Sequence, residues 1–188
     1  MSVYHGTKFG FVQSAVYDQM GVSLEGRLAN ASDINLCDAV SVGEANGIGV
    51  GLGVATATLA GSIKPGVNNE ELKLPTSTST AADFAGILVR TDTGRTDANG
   101  ENYMGYKEIG TLLRKNRVGG RIWIKAQNAI TTGGKLYWVI ADTAGTGKKI
   151  GGFVGTAVTN DTVQITGVKV VQGASAGELA LIEVGIIK

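Results

Sequence analysis

His5 is the only histidine of the chain, so a Ser-His-acid or Cys-His arrangement would have to be built on it. It stands in the opening stretch MSVYHGTKFGFVQ, where a solvent-exposed terminal residue is expected rather than a general base. Cys37 is the only cysteine, which excludes an intrachain disulfide and a zinc cluster of cysteines. Its setting, INLCDAV, alternates apolar and polar residues, the pattern of a buried and inert thiol. The run TDTGRTDANGEN offers Asp92, Asp97, Asn99, Glu101 and Asn102, the oxygen ligands of a calcium loop without its spacing, and reads as a solvated hairpin tip. GTGKK, residues 145–149, hints at a phosphate-binding loop. The full pattern needs glycine at 142 and a hydroxyl at 149; the chain has Asp142 and Lys149, an acid that repels phosphate and a side chain that cannot hold Mg²⁺. Glu70 and Glu71 are adjacent in a polar stretch rather than set across a cleft, as glycoside hydrolysis requires. The expectation is a protein that is no enzyme, with no catalytic residues, no metal and no cofactor.

The remaining chemistry is that of contact. In GGRIWIKAQNAITTGGKLYWV, residues 119–139, two short strands flank a polar connection and read as a hairpin. In the first, Ile122 and Ile124 share one face while Arg121, Trp123 and Lys125 share the other. In the second, Leu136, Trp138 and Ile140 lie opposite Lys135, Tyr137 and Val139. Trp123 between two basic side chains suits a base-stacking platform, a contact for a partner protein, or an ordinary aromatic covered by its neighbours' aliphatic stems. A second candidate surface is NGIGVGLGVATATLAG, residues 46–61, in which Gly47, Gly49, Gly51 and Gly53 alternate with Ile48, Val50, Leu52 and Val54. A strand with one bare face lets another chain approach closely; the rival reading is a bend or bulge.

These residues need scaffolding, and its elements are short. With 188 residues, 43% of them hydrophobic, the chain is long enough for one sizeable core. Glycine is abundant at 29 residues and proline rare at 2, with no collagen-like period, which points to many strands and tight turns. A formal charge of +1 gives no reason to expect a polyanion-binding surface, hence no specific nucleic acid. No apolar run is long enough to span a membrane, and the start lacks the apolar stretch of a signal peptide.

Residues 29–42 read as a polar turn and a strand, and residues 63–83 as a long polar loop with a short strand at 71–74. FAGILVRTD (84–92) is a strand, and Gly105 and Gly110 argue for extended backbone rather than helix over 108–114. GGFVGTAV (151–158), TVQITGVKVVQ (162–172) and ELALIEVGI (178–186) follow as strands. The prediction is an all-β fold, a jelly-roll-like sandwich or barrel with long polar loops: an arm-like N-terminal segment over 1–30 and one β domain over 31–188.

The 119–139 stretch resembles the central signature of the structural cement proteins of tailed phages, a capsid-decoration family. There, a strand of alternating apolar and basic residues meets a short A-[VI]-T-x-G connection and an aromatic-bearing strand. Ala129, Ile130, Thr131 and Gly133 fill the connection here; Leu136, Tyr137 and Val139 fill the strand. FAGILVRTD, GGFVGTAV and ELALIEV are similar to further strands of that family. The polar run 63–83 and the glycine alternation depart from its pattern.

The resemblance implies a jelly-roll-like domain on the outside of an icosahedral head, made in the host cytoplasm, that bridges major capsid subunits and stabilises the shell without chemistry. It implies a homodimer, with a trimer as the second choice. The candidate interface residues are Arg121, Trp123 and Lys125, with Gly49, Gly51 and Gly53. The competing readings are a tail or baseplate component and a head-fibre or host-binding module.

Overall fold

A computed structural model describes residues 24–58, 70–91, 95–96, 102–117 and 119–185. His5 and most of the acidic run 92–101 lie outside them, as do residues 63–69 of the polar loop and all but the end of the N-terminal segment. A short 3-10 helix at Ala31–Leu36 leads into fourteen strands: β1 (Cys37–Val42), β2 (Ile48–Gly49), β3 (Gly53–Thr58), β4 (Glu70–Lys73), β5 (Gly86–Val89), β6 (Arg95–Thr96) and β7 (Asn102–Met104), then β8 (Ile109–Arg114), β9 (Gly120–Lys125), β10 (Tyr137–Val139), β11 (Phe153–Val154), β12 (Thr162–Gln164), β13 (Val168–Gln172) and β14 (Leu179–Val184). The all-β expectation holds. The strands expected around 71–74 and 84–92 are present as β4 and β5, and residues 108–114 are extended, as β8.

Five strands close into a barrel in the order β1-β4-β3-β5-β8. One pairing, β1 with β4, is parallel. Val40, Val42, Val54, Leu72, Leu88 and Leu112 fill the interior, and Ile48, Leu52 and Met104 complete this aliphatic cluster. Gly110 makes room, since a Cβ there would sit 2.8 Å from Leu88 Cδ1. Two residues beyond Leu112 and before Leu72, the same inward rows reach Arg114 and Glu70. Arg114 is paired with both Asp38 and Glu70 there, and these charges lie at the barrel mouth.

Three smaller sheets surround the barrel, β11-β10-β12, β13-β14-β9 and β2-β7-β6. Side chains that alternate outward from the barrel wall, Ile87, Val89 and Leu113, pack with Ile122, Ile124, Ile182, Trp138 and Phe153 in a second and larger core. Phe84 meets Trp138 edge-on at 5.3 Å between ring centres and Phe153 at 6.3 Å. Trp138 is fully buried, and its indole N–H donates to the Gly53 carbonyl at 3.1 Å. That bond satisfies the one polar atom such a ring brings inside.

One expectation is corrected, and one open reading is narrowed. The strands of the 119–139 stretch do not stay together: β9 pairs with β14, whereas β10 pairs with β11 and β12. The glycine alternation is not one strand either. Gly47, just before β2, and Gly51, between β2 and β3, have positive φ (76° and 78°), so the chain turns at both places. Gly51 and Gly53 are buried against their own chain. A Cβ on Gly53 would lie 2.7 Å from Trp138 Nε1, 2.8 Å from Phe84 and 2.9 Å from Phe153. On Gly49 it would meet Lys149 Nζ at 3.2 Å and Leu52 at 3.3 Å. Of the two readings the sequence left open, the alternation takes the bend, and at Gly53 the missing Cβ leaves room for rings of the same chain.

Candidate functional site

β9 alternates as its sequence demands. Ile122 and Ile124 are fully buried, Arg121 and Lys125 are exposed, and Trp123 is half-buried between them. Both edges of the strand are occupied. On one side β14 runs antiparallel, placing Glu183, Leu181 and Leu179 opposite Arg121, Trp123 and Lys125. On the other, residues 26–29 add a short pairing: Gly26 N–H donates to the Trp123 carbonyl at 2.8 Å, Trp123 N–H to Arg27 at 2.9 Å, and Ala29 N–H to Arg121 at 2.9 Å. The Trp123 backbone is therefore held from both sides.

Leu179 and Leu181 are half-buried like Trp123, so the outward face carries an apolar stripe. Charge borders it. Arg121 Nε donates to Glu183 Oε2 at 2.9 Å, and the Arg121 amide donates to Asp33 Oδ2 at 2.9 Å. Lys125 makes no ion pair with any described residue. The arrangement is a rigid patch with one aromatic, two leucines and one uncommitted cation, which suits contact with a partner rather than a reaction.

The side chains with chemical potential are occupied elsewhere. Burial, and then the charges of Asp33 and Asp38, push the Cys37 thiol up to about 12, so it carries no thiolate at neutral pH. Its sulfur lies 3.6 Å from the Asp33 carbonyl. Glu70 and Glu71 stand on β4 rather than in a loop; Glu70 binds Arg114, while Glu71 binds Lys107 and lies 3.8 Å from Lys73. The hydrogen bond from Lys107 holds the Glu71 carboxyl below its usual range.

In GTGKK, the loop amides that would cradle a phosphate are already spent on Asp142: Thr146 N–H donates to it at 2.9 Å and Gly147 N–H at 2.8 Å. Asp161 accepts from the Thr143 amide and hydroxyl through Oδ1, at 3.0 and 2.6 Å. Its Oδ2 is buried without a partner among the described residues. No three acidic, histidine or cysteine side chains among the described residues are grouped to hold a metal.

The comparisons with known proteins meet this geometry. The model of the structural cement protein family typified by E217 gp24 and Pam3 gp6 matches residues 12–185. This chain belongs to the structural cement protein family. The cement protein is similar in fold to a chain of the capsid of Myoviridae phage XM1, at 16% identity and a TM-score of 0.54, over 79% of this chain and 82% of that one. No curated protein matches it. The cement protein is thus a structural component of a bacteriophage virion, associated with its capsid.

Every segment that carried the resemblance folds as a strand of this cement protein: 84–92 holds β5, 119–139 holds β9 and β10, and 151–158 and 178–184 hold β11 and β14. Sequence reasoning missed the clasp of 26–29 on β9 and the meeting of Lys125 with the 145–149 loop. Both join residues far apart in the chain.

Proposed function

We propose that this cement protein decorates the outer surface of the icosahedral head and bridges neighbouring major capsid subunits as a homodimer, catalysing no reaction. The observation that carries this reading is the outward face of β9 and β14, where Trp123, Leu179 and Leu181 form a stripe on a strand clasped along both edges. A preorganised apolar patch with a polar rim loses little conformational freedom on docking. Repetition on a symmetric shell multiplies weak contacts, so many copies hold where one would not. The protein is made in the host cytoplasm and joins the shell after assembly.

Co-sedimentation tests the reading. The protein should bind matured heads but not free capsid subunits, and decorated heads should release DNA at a higher temperature than bare ones, because a ligand of the assembled state stabilises it. Trp123→Ala should weaken binding by roughly 2 kcal/mol and Lys125→Ala by about 0.5. Equal binding to subunits and heads, or identical release temperatures, would sink the proposal. Spontaneous rings or tubes of the purified protein would favour a tail component instead.

A further inference from the structure

Beside the apolar stripe lies a basic groove that the family assignment does not explain. Its volume is about 280 Å³, and Lys125, Lys148 and Lys149 line it with Gln127 and a single acid, Glu25. The lysines come from two places, the end of β9 and the loop after β10, and that loop is fastened. Gln127 accepts from the Lys149 amide and donates to the Lys149 carbonyl, both at 2.8 Å. Gly177 N–H donates to the Ala126 carbonyl at 2.7 Å, which closes the far wall. Lys148 Nζ donates only to a neutral group, Thr146 Oγ1, at 2.9 Å, and Lys125 binds no described residue. Lys125 is thus held on clamped backbone with no described carboxylate paired to it, and Lys148 stands in the field of Asp142 and Asp161 without forming an ion pair with either.

The rest of the molecule shows what is missing. Every described acid already has an internal partner. Asp38 and Glu70 bind Arg114, and Glu71 binds Lys107. Glu44, Glu108 and Glu178 accept backbone amides. Asp83, Asp142 and Asp161 hold their own turns, Asp33 and Glu183 hold Arg121, and Glu25 is engaged as well. Among the described residues of a second copy every carboxylate already has a contact, which favours an acidic partner of different sequence. Nucleic acid fits poorly. The groove is compact rather than a stripe, and no aromatic residue lines it for a base to stack on.

We propose that this groove receives a carboxylate-bearing loop of the major capsid subunit, with Lys125 and Lys148 as its ion-pairing partners; this rests on the shell-binding reading above. The groove adjoins the Trp123 stripe through Lys125, so one contact supplies an apolar anchor and an electrostatic one, and the second sets orientation and association rate.

The test is co-sedimentation of the Lys125→Gln/Lys148→Gln variant with matured heads at low and high salt, against a control of equal charge change, Lys135→Gln/Lys169→Gln, and with carbodiimide crosslinking of wild-type decorated heads. The groove variant should bind about tenfold more weakly at low salt and with a shallower salt dependence, while the control stays close to wild type. Crosslinks should join Lys125 or Lys148 to an acidic residue of the capsid subunit. Unchanged affinity and salt dependence in the groove variant overturns the proposal, as do crosslinks to a second copy of this chain. Displacement of wild type from heads by a short duplex DNA, lost in the groove variant, reassigns the groove to phosphate and overturns it too. Wild-type protein that does not sediment with heads overturns the shell-binding reading itself, and the groove's occupant falls with it.

Discussion

Inside the barrel the core consists of valine and leucine, continued by an isoleucine and a methionine from β2 and β7; across the same wall strands, the second core is organised around Phe84, Trp138 and Phe153. The difference follows from shape. A closed five-stranded cylinder leaves narrow space, so it takes branched aliphatics and a glycine at 110. The seam between barrel and flanking sheets is wider and irregular, and large rings fill it. Rings bring a polar atom and need a notch, and Gly53 supplies both, a carbonyl for the indole and the absence of a Cβ. The barrel is sealed by backbone pairing, the seam by aromatic fit.

Four substitutions break or sharpen that contrast. Trp138→Ala should be the most damaging, at about 4 kcal/mol, because it empties the seam and orphans the Gly53 carbonyl. Chemical denaturation of the isolated protein reads this directly. Leu88→Ala, on the barrel side of the shared wall, should cost about 3 kcal/mol. A Leu88→Ala loss larger than that of Trp138→Ala would make the barrel, not the seam, the more tightly specified core.

Gly53→Ala comes next, at about 2 kcal/mol, since the added methyl meets three ring systems below 3 Å. A melting temperature lowered by several degrees is expected. An unchanged melting temperature with lost head binding would return this glycine to an intermolecular contact.

The smallest effect concerns acid. Hydrogen bonds from the Thr143 hydroxyl and amide hold the Asp161 carboxyl below its usual range. A depressed carboxyl stabilises the fold above the unfolded value near pH ~4, and that contribution disappears as pH falls through the folded value. Asp161→Asn should therefore flatten the acid side of the stability profile without altering the neutral side's slope. An acid limb identical to wild type would show that Asp161 does not supply it.

Much of the fold was legible because burial and period coincide. Ile122 and Ile124 are wholly buried and Arg121 and Lys125 exposed, as a two-residue period requires. Gly105 and Gly110 correctly argued against a helix over 108–114, whereas TVQITGVKVVQ, read as one run, divides into β12 and β13 where Gly167 takes a positive φ of 74°. What misled was a period without a strand. Gly47 to Gly53 alternates perfectly, yet alternation of glycine carries no information about side-chain burial, and two of the four sit at turn dihedrals. The pairing of β9 with β14 rather than with β10 was equally hidden, because partner choice depends on contacts over fifty residues away. The basic groove had a visible half-signal: GTGKK failed as a phosphate loop, but its lysines were still cations in need of a position.

Ile87 and Leu88 are neighbours that belong to different cores, and so are Leu112 and Leu113 across from them. If β5 slid by one residue along β8, each leucine and isoleucine would exchange sides at once, spoiling barrel and seam together. Such a wall has no cheap intermediate displacement. It resists gradual shear and gives way only as a whole, a mechanical behaviour suited to a structural part of a virion.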